Sequence, residues 1–467
     1  MRHTLLQVVC IAVGASAACA TAAAAERAPS LDGHRGKVRM GTWTERWPDA
    51  AGGMETRTVT AEVWTEAMQA ALDRDGVLHI PARDRPYYID GPLMMTSGSK
   101  LTADPAAEIR LVPGTNTCMV RNAGLAGFSD RPVPQGTNPD AHIEIAGGIW
   151  TTLATAPQES NGNLRGGSAK VDPVPGTHGV ILLHNARNVT VRDVTVRQSR
   201  AFAVHLGNVR DFVVDGLALD RHGRDGVHVD GPASAGAIRR VRGDSHDDPV
   251  SLTAWDWRQY SASFGPIGGI VVEDVTGVTD GKPATDAIRL LPGVKRFADG
   301  TLLDCPIHDV TLRRITDIRE YKLYDQPNLE LGRDVDSSES VGRLENIRLE
   351  GLVFNRPGTI EVHADTDGLA IDGVEVRFAP AADWRLVRLG PKSQTYKHAP
   401  ADPATWTEIF SPDRDCTVRG LEVTGVRDAA GRALPADRLV EVVELRPNPD
   451  YPRTLPRGGT GKAIWVR

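Results

Sequence analysis

The stretch Val189-Thr190-Val191-Arg192-Asp193-Val194-Thr195-Val196 decides the fold. Its valines stand two, three and two residues apart, and the same spacing returns at Phe212, Val214, Leu217 and Leu219. Ile347, Leu349, Leu352 and Phe354 repeat it, as do Leu369, Ile371, Val374 and Val376, and then Cys416, Val418, Leu421 and Val423. Two copies are cut short, Ile270-Val272-Val275 and Val310-Leu312-Ile315, and a weak one runs Gly236, Ile238, Val241, Gly243. A step of two keeps apolar side chains on one face of a strand, and the step of three marks a corner before the next strand. Recurrence every 22 to 24 residues or so is the signature of a solenoid coil. The expected fold is therefore all-β, a right-handed parallel β-helix of about ten coils. Inward columns form its core, and outward columns form a long groove.

Composition suits that reading. Of 467 residues, 40% are hydrophobic and 24% charged, enough for a large core, while 47 glycines and 31 prolines suit many short strands and turns. A formal net charge of −6 leaves no basic footprint for nucleic acid. Arg2 and His3, an apolar run from Leu5 to Val13, and Ala23-Ala24-Ala25 have the layout of a secretory signal over residues 1–25. That run is too short to span a bilayer, so a secreted or periplasmic chain is expected, with Ser16-Ala17-Ala18-Cys19 as a competing lipoprotein box. Cys118, Cys305 and Cys416 lack metal-ligand spacing and read as small core residues. Neither metal nor cofactor is expected, and the chain reads as a monomer.

Residues 26–58 look irregular. Trp64, Met68, Ala71 and Leu72 then share one face of a helix expected over 61–73, which caps the open end of the solenoid. The β-helix is expected over 59–426 and a charged, Pro-rich C-terminal wrap over 427–467. Over-long separations after Gly236, Ile270 and Val310 mark inserted loops, which on a solenoid gather on one face. Ala67-Met68-Gln69-Ala70-Ala71-Leu72, the strand ending Ile80-Pro81 and the short Tyr88-Ile89-Asp90 resemble the N-terminal region of the pectate-lyase and polygalacturonase-like β-helix superfamily. That resemblance runs on through the repeats to about residue 425 and implies a fold, not a chemistry.

Chemistry is expected on the strand that follows each repeat. Its inward pairs are Val204 and Leu206, Val227 and Val229, Val250 and Leu252, Ile288 and Leu290, and Ile360 and Val362. The outward residues between them read His205, His228, Ser251, Arg289 and Glu361. Two positions before each pair stand Phe202, Asp225, Asp248, Asp286 and Gly358. Coils stack about 4.8 Å apart, so Asp225, Asp247, Asp248 and Asp286 should share one patch. Asp-Gly and Asp-Pro also favour turns, which is the plainer reading of any one of them. An aligned set beside Arg289 and two histidines points instead to carboxylates that shift one another's protonation.

Arg224-Asp225-Gly226, followed one coil later by His246-Asp247-Asp248 and then by Ile288-Arg289-Leu290, resembles the motif series of the polygalacturonase-like glycoside hydrolases of family 28. The family's Gly-His-Gly is absent, with Gly268-Gly269 in its neighbourhood, and its Arg-Ile-Lys lacks the lysine here. The resemblance implies an inverting hydrolase in which Asp247 protonates the glycosidic oxygen while Asp225 and Asp248 activate water. Trp255 and Trp257 are placed to stack on sugar rings or to pack the loop. His228 and His205 are candidates for contacting substrate hydroxyls, and Arg289 for binding a uronate carboxylate or neutralising the aspartates. Asp286 and Glu361 complete the candidate binding residues. Two other functions stay open: a polysaccharide lyase with calcium held by aspartates, and a noncatalytic carbohydrate-binding β-helix.

Overall fold

A computed structural model describes residues 31–48, 53–115, 117–124, 138–153, 179–256, 263–277, 287–297, 299–324, 341–390, 392–397, 406–411, 415–443 and 463–466. The chain is a right-handed parallel β-helix. Strands pair coil to coil along three faces, and the first face carries the candidate site. There Val120, Ile181, Val204, Val227, Val250 and Ile288 stand in one hydrogen-bonded column. Tyr321, Ile360, Val387 and Val440 continue it. On the second face Val189, Phe212, Gly236, Ile270, Val310, Ile347 and Leu369 align. All of these inward residues except Val440 are buried, so the core is one continuous apolar rod.

The three-residue step has a backbone cause. In each coil one residue at the corner between the second and third faces adopts the left-handed conformation: Asp193 (φ 54°), Gly216 (φ 81°), Arg240 (φ 51°), Asp274 (φ 58°) and Arg314 (φ 54°). That conformation swings the chain out of the strand direction. Gly351, Gly373 and Gly425 hold the same corner later in the chain. This corrects the register of the last repeat, because Leu421 and Val423 pair with Leu369 and Ile371 and the corner falls at Gly425. Cys416 and Val418 thus lie one step earlier in the coil than their spacing suggests, and Cys416 faces Ala463.

At the N-terminal end, Arg39–Pro48 and Met54–Val63 pair antiparallel where irregular chain is expected. Thr56, Thr58, Val59 and Thr60 are β-branched, which favours strand over helix. The helix accordingly begins later than expected, at Thr65, and runs to Asp75. It buries Ala67, Met68, Ala71 and Leu72 and ends where Gly76 (φ 66°) donates its N–H to the Leu72 carbonyl at 2.8 Å. Inserted hairpins occupy Gly293–Arg296 with Leu302–Cys305, and Lys392–Lys397 with Trp406–Ser411. Beyond residue 426, Arg427–Asp428, Val440–Val442 and Ala463–Val466 stack on the preceding coils. Cys118, Cys305 and Cys416 are buried. No helix among the described residues is long and apolar enough to cross a membrane.

Gly236 explains the weak repeat. A Cβ there would lie 2.2 Å from Cζ of Phe212 and 2.8 Å from Cδ1 of Ile270, so the neighbouring side chains already fill its place in the column. Gly236→Ala is expected to destabilise the chain by about 1–3 kcal/mol through overpacking. A urea midpoint equal to that of the parent chain contradicts this account.

Candidate functional site

Pairing on the first face sets the outward column: His205 beside His228, then Ser251, then Arg289, then Lys322, then Glu361. Asp225, Asp247 and Asp248 come from the bends that lead into this face, and an oxygen of each lies within 4.8 Å of the others. Gly226 permits this approach, since a Cβ there would stand 2.5 Å from the Pro249 carbonyl oxygen of the next coil. The three aspartates differ in surroundings. Asp225 and Asp248 are buried, whereas the Asp247 side chain is 25% exposed.

Each aspartate faces a different cation. Asp248 lies between Arg289, whose Nε is 2.8 Å from Oδ2, and Lys322, whose Nζ donates to Oδ1 at 3.0 Å. The arginine contact is an ion pair rather than an aligned hydrogen bond. Asp225 Oδ2 accepts from Nδ1 of His228 at 2.7 Å. Asp247 lies 3.3 Å from the partly buried Arg224. Burial, and next the charge of Asp225, push the Asp247 carboxyl above the usual range, against the opposing pull of Arg224, Arg289 and Lys322.

Behind Asp225 lies a closed network. His228 Nε2 meets Asp230 Oδ1 at 3.2 Å, Asp256 stands 4.0 Å away, and Thr253 Oγ1 donates to Asp230 at 2.9 Å. His205 Nε2 meets the other Asp230 oxygen at 2.8 Å. Phe202 stacks on the His228 ring with centroids 4.0 Å apart, and the Arg224 guanidinium lies 5.5 Å from the Phe202 centroid. Burial works against a charged imidazole, but the hydrogen bonds to Asp225 and Asp230 prevail and raise His228 to about 10. Burial lowers His205. His222 is lowered to about 4, again by burial, and its Nε2–H donates to the Asp225 backbone carbonyl at 2.9 Å, which holds that bend.

Several expectations need correction. His205 and His228 stand in the column as expected, yet they are 0% and 1% exposed, enclosed with Asp230 and Asp225 as hydrogen-bond partners. Trp255 is fully buried in the core, because its strand end turns inward, so it offers no sugar platform. Trp257 and Asp286 lie outside the described residues, as does the signal segment. Gly268 belongs to the second face, paired with Ser234 and His308, away from the aspartates. Arg289 is in the cluster, and Glu361 stands two coils further along the column. A lysine that the sequence reading did not single out, Lys322, stands beside Arg289 in the column and contacts Asp248. Alternation in Glu320-Tyr321-Lys322-Leu323-Tyr324 is the signal that reveals it, and the same rule applied past His228 reveals Asp230.

Two clusters have the donor types of a metal site, Asp225 with Asp247 and Asp248, and His205 with His228 and Asp230. Neither fits one. Calcium wants six to eight oxygen ligands, while Asp248 is already engaged by Arg289 and Lys322. At the second cluster a metal would have to displace the proton that Asp225 and Asp230 hold on His228.

No family model and no curated protein matches this chain. Among solved structures, the family 28 exopolygalacturonase of Yersinia enterocolitica is 13% identical with a TM-score of 0.44, covering 83% of this chain and 81% of that one. The Streptococcus pneumoniae surface adhesin PfbA is 13% identical with a TM-score of 0.38, covering 80% and 92%. The A-module of Azotobacter vinelandii mannuronan C-5 epimerase is 12% identical with a TM-score of 0.33, covering 78% and 92%. These likenesses carry no argument about activity.

The His228 network makes a pH prediction. Its folded value, about 10, lies above the ordinary 6.5, so its stabilisation is complete below pH 6.5 and is lost as pH rises through about 10. His228→Gln should cost about 3–5 kcal/mol at pH 6, as removal of one partner from a buried ion pair does, and the penalty should shrink towards pH 10. A penalty that does not vary with pH, measured by chemical denaturation, shows that His228 is uncharged in the fold.

Proposed function

We propose that this chain is an exported glycoside hydrolase acting on a polysaccharide or oligosaccharide. Asp247 is the general acid, and Asp225 and Asp248 are the bases. The observation that carries this reading is the split environment of the three aspartates. Burial beside Asp225 favours a protonated Asp247, while His228 and the Arg289–Lys322 pair put positive charge against Asp225 and Asp248. One acid beside ionised bases is the requirement for cleaving an acetal. The Asp247 proton passes to the glycosidic oxygen as its bond to the anomeric carbon breaks. Water bonds to that carbon and gives its proton to the carboxylates. Exposure agrees with the roles, since Asp247 is the member of the trio that a glycan in the groove can touch.

Two carboxylates placed to share one water favour inversion. Retention has a specific observation on its side, the short spacing of the cluster, because direct attack goes with carboxyl groups about 5–5.5 Å apart and water insertion with about 6.5–9.5 Å. Proton NMR of the first-formed anomer decides between them, and inversion is the expected result. The lyase reading is tested by products: an unsaturated sugar absorbing in the ultraviolet, or activity abolished by a chelator, replaces hydrolysis with elimination.

Asp247→Asn should lower kcat by roughly 10²- to 10⁴-fold, since an amide keeps the shape but delivers no proton. Near-normal turnover removes Asp247 from its role. Arg224 favours the ionised form of Asp247, so Arg224→Gln should raise its pKa and move the alkaline limb of the kcat/KM profile to higher pH. An alkaline limb that stays in place, or moves down, assigns that limb to another group.

A further inference from the structure

Past Lys322 the outward column does not end. Glu361, Arg388 and Glu441 follow it in register, one per coil. All three line a cavity of about 460 Å³ that opens on the same face. Trp384 is among its lining residues, and its indole is held in place: Nε1 donates to the Gly358 carbonyl at 2.8 Å, and Phe378 packs edge-on with centroids 5.4 Å apart. An aromatic plate among hydrogen-bonding groups is the chemistry that recognises a sugar ring, with apolar C–H surface on one side and hydroxyls around the rim.

Charge narrows the ligand. Glu320, Glu361, Asp383 and Glu441 bring carboxylates to the pocket, against the guanidinium groups of Arg319, Arg385 and Arg388. Arg388 is also held by Glu441 at 2.7 Å. With no surplus of positive charge, a sugar carboxylate entering here would meet more anions than cations. Hydroxyl groups, by contrast, can donate to the carboxylates and accept from the arginines.

We propose that this pocket is a second sugar subsite of the groove and that it takes an uncharged, hydroxyl-bearing sugar. Coils repeat about every 4.8 Å, and an extended pyranose chain advances by a similar step. Glu361, Arg388 and Glu441 lie three, four and five coils beyond the coil of Asp247, so the occupant is about three to five residues along the glycan from the bond at Asp247. This inference rests on the reading of the groove as a glycan site, and it adds the charge class of one residue of the substrate.

Calorimetric titration of the Asp247→Asn chain tests it. The probes are β-1,4-linked gluco-, xylo- and manno-hexasaccharides, their trisaccharides, and a galacturonate hexamer. One neutral hexasaccharide should bind at least about tenfold more tightly than its trisaccharide and more tightly than the galacturonate hexamer. Adding Trp384→Ala should remove that gain, a loss of about tenfold in Kd. Glu361→Gln, which keeps the packing, should weaken the hexasaccharide in the same direction and carries the test if the tryptophan variant fails to fold. The subsite is overturned if no neutral hexasaccharide binds, if galacturonate binds as tightly, if length brings no gain, or if both variants keep the parent affinity. Turnover retained in Asp247→Asn rejects the proposed acid instead, and leaves the binding result standing.

Discussion

In-register stacking of coils is the constraint on which the rest of the molecule depends. Pairing on the first face places one side chain per coil in a single outward row, with neighbours about 4.8 Å apart. That row sets His205 against His228 and Arg289 against Lys322. Side by side, such groups repel when charged unless an anion stands between them. Asp230 bridges the two histidines, and Asp248 bridges the arginine and lysine. The buried carboxylates are thus the electrostatic complement of a register that the hydrophobic core imposes.

The same complement separates the three clustered aspartates. Asp225 and Asp248 are each tied to a cation deeper in the coil, and Asp247, at the surface of the cluster, is left with Arg224 and the repulsion of Asp225. Like charges held at this distance do not ionise together. The Asp247 carboxyl is thereby pushed above the usual range, while Asp225 and Asp248 stand against positive charge. His228 carries much of this arrangement, because it is charged, fully enclosed and shared by two carboxylates. Such a network costs desolvation and returns specificity of geometry, which suits a site where a misplaced oxygen costs rate.

Much of the solenoid was legible in the residues themselves. Apolar steps of two and three report strand and corner directly, since period-2 alternation and a left-handed corner residue are local properties of the chain. The last repeat misleads for the same reason: Cys416-Val418-Leu421-Val423 satisfies the spacing, and only pairing with Leu369 shows that the corner is at Gly425. The aspartates of the site were legible too, because Asp225 and Asp248 occupy equivalent places in successive coils and Asp247 adjoins Asp248.

Burial and partnership were not legible. Spacing tells that His205 and His228 leave the core column, but whether the space outside is groove or closed network depends on Phe202, Thr253 and Asp230, which come from three different strands. Trp255 reads as a groove aromatic until the chain is seen to turn it inward. Lys322 stands 74 residues from Asp248 in sequence and one contact away in space. Sequence by itself therefore determined the coil, its faces and the acidic residues, because these follow from local periodicity. Tertiary structure alone decided which groups are paired, which are enclosed and which stay exposed, because those depend on side chains that only the stacking of distant coils brings together.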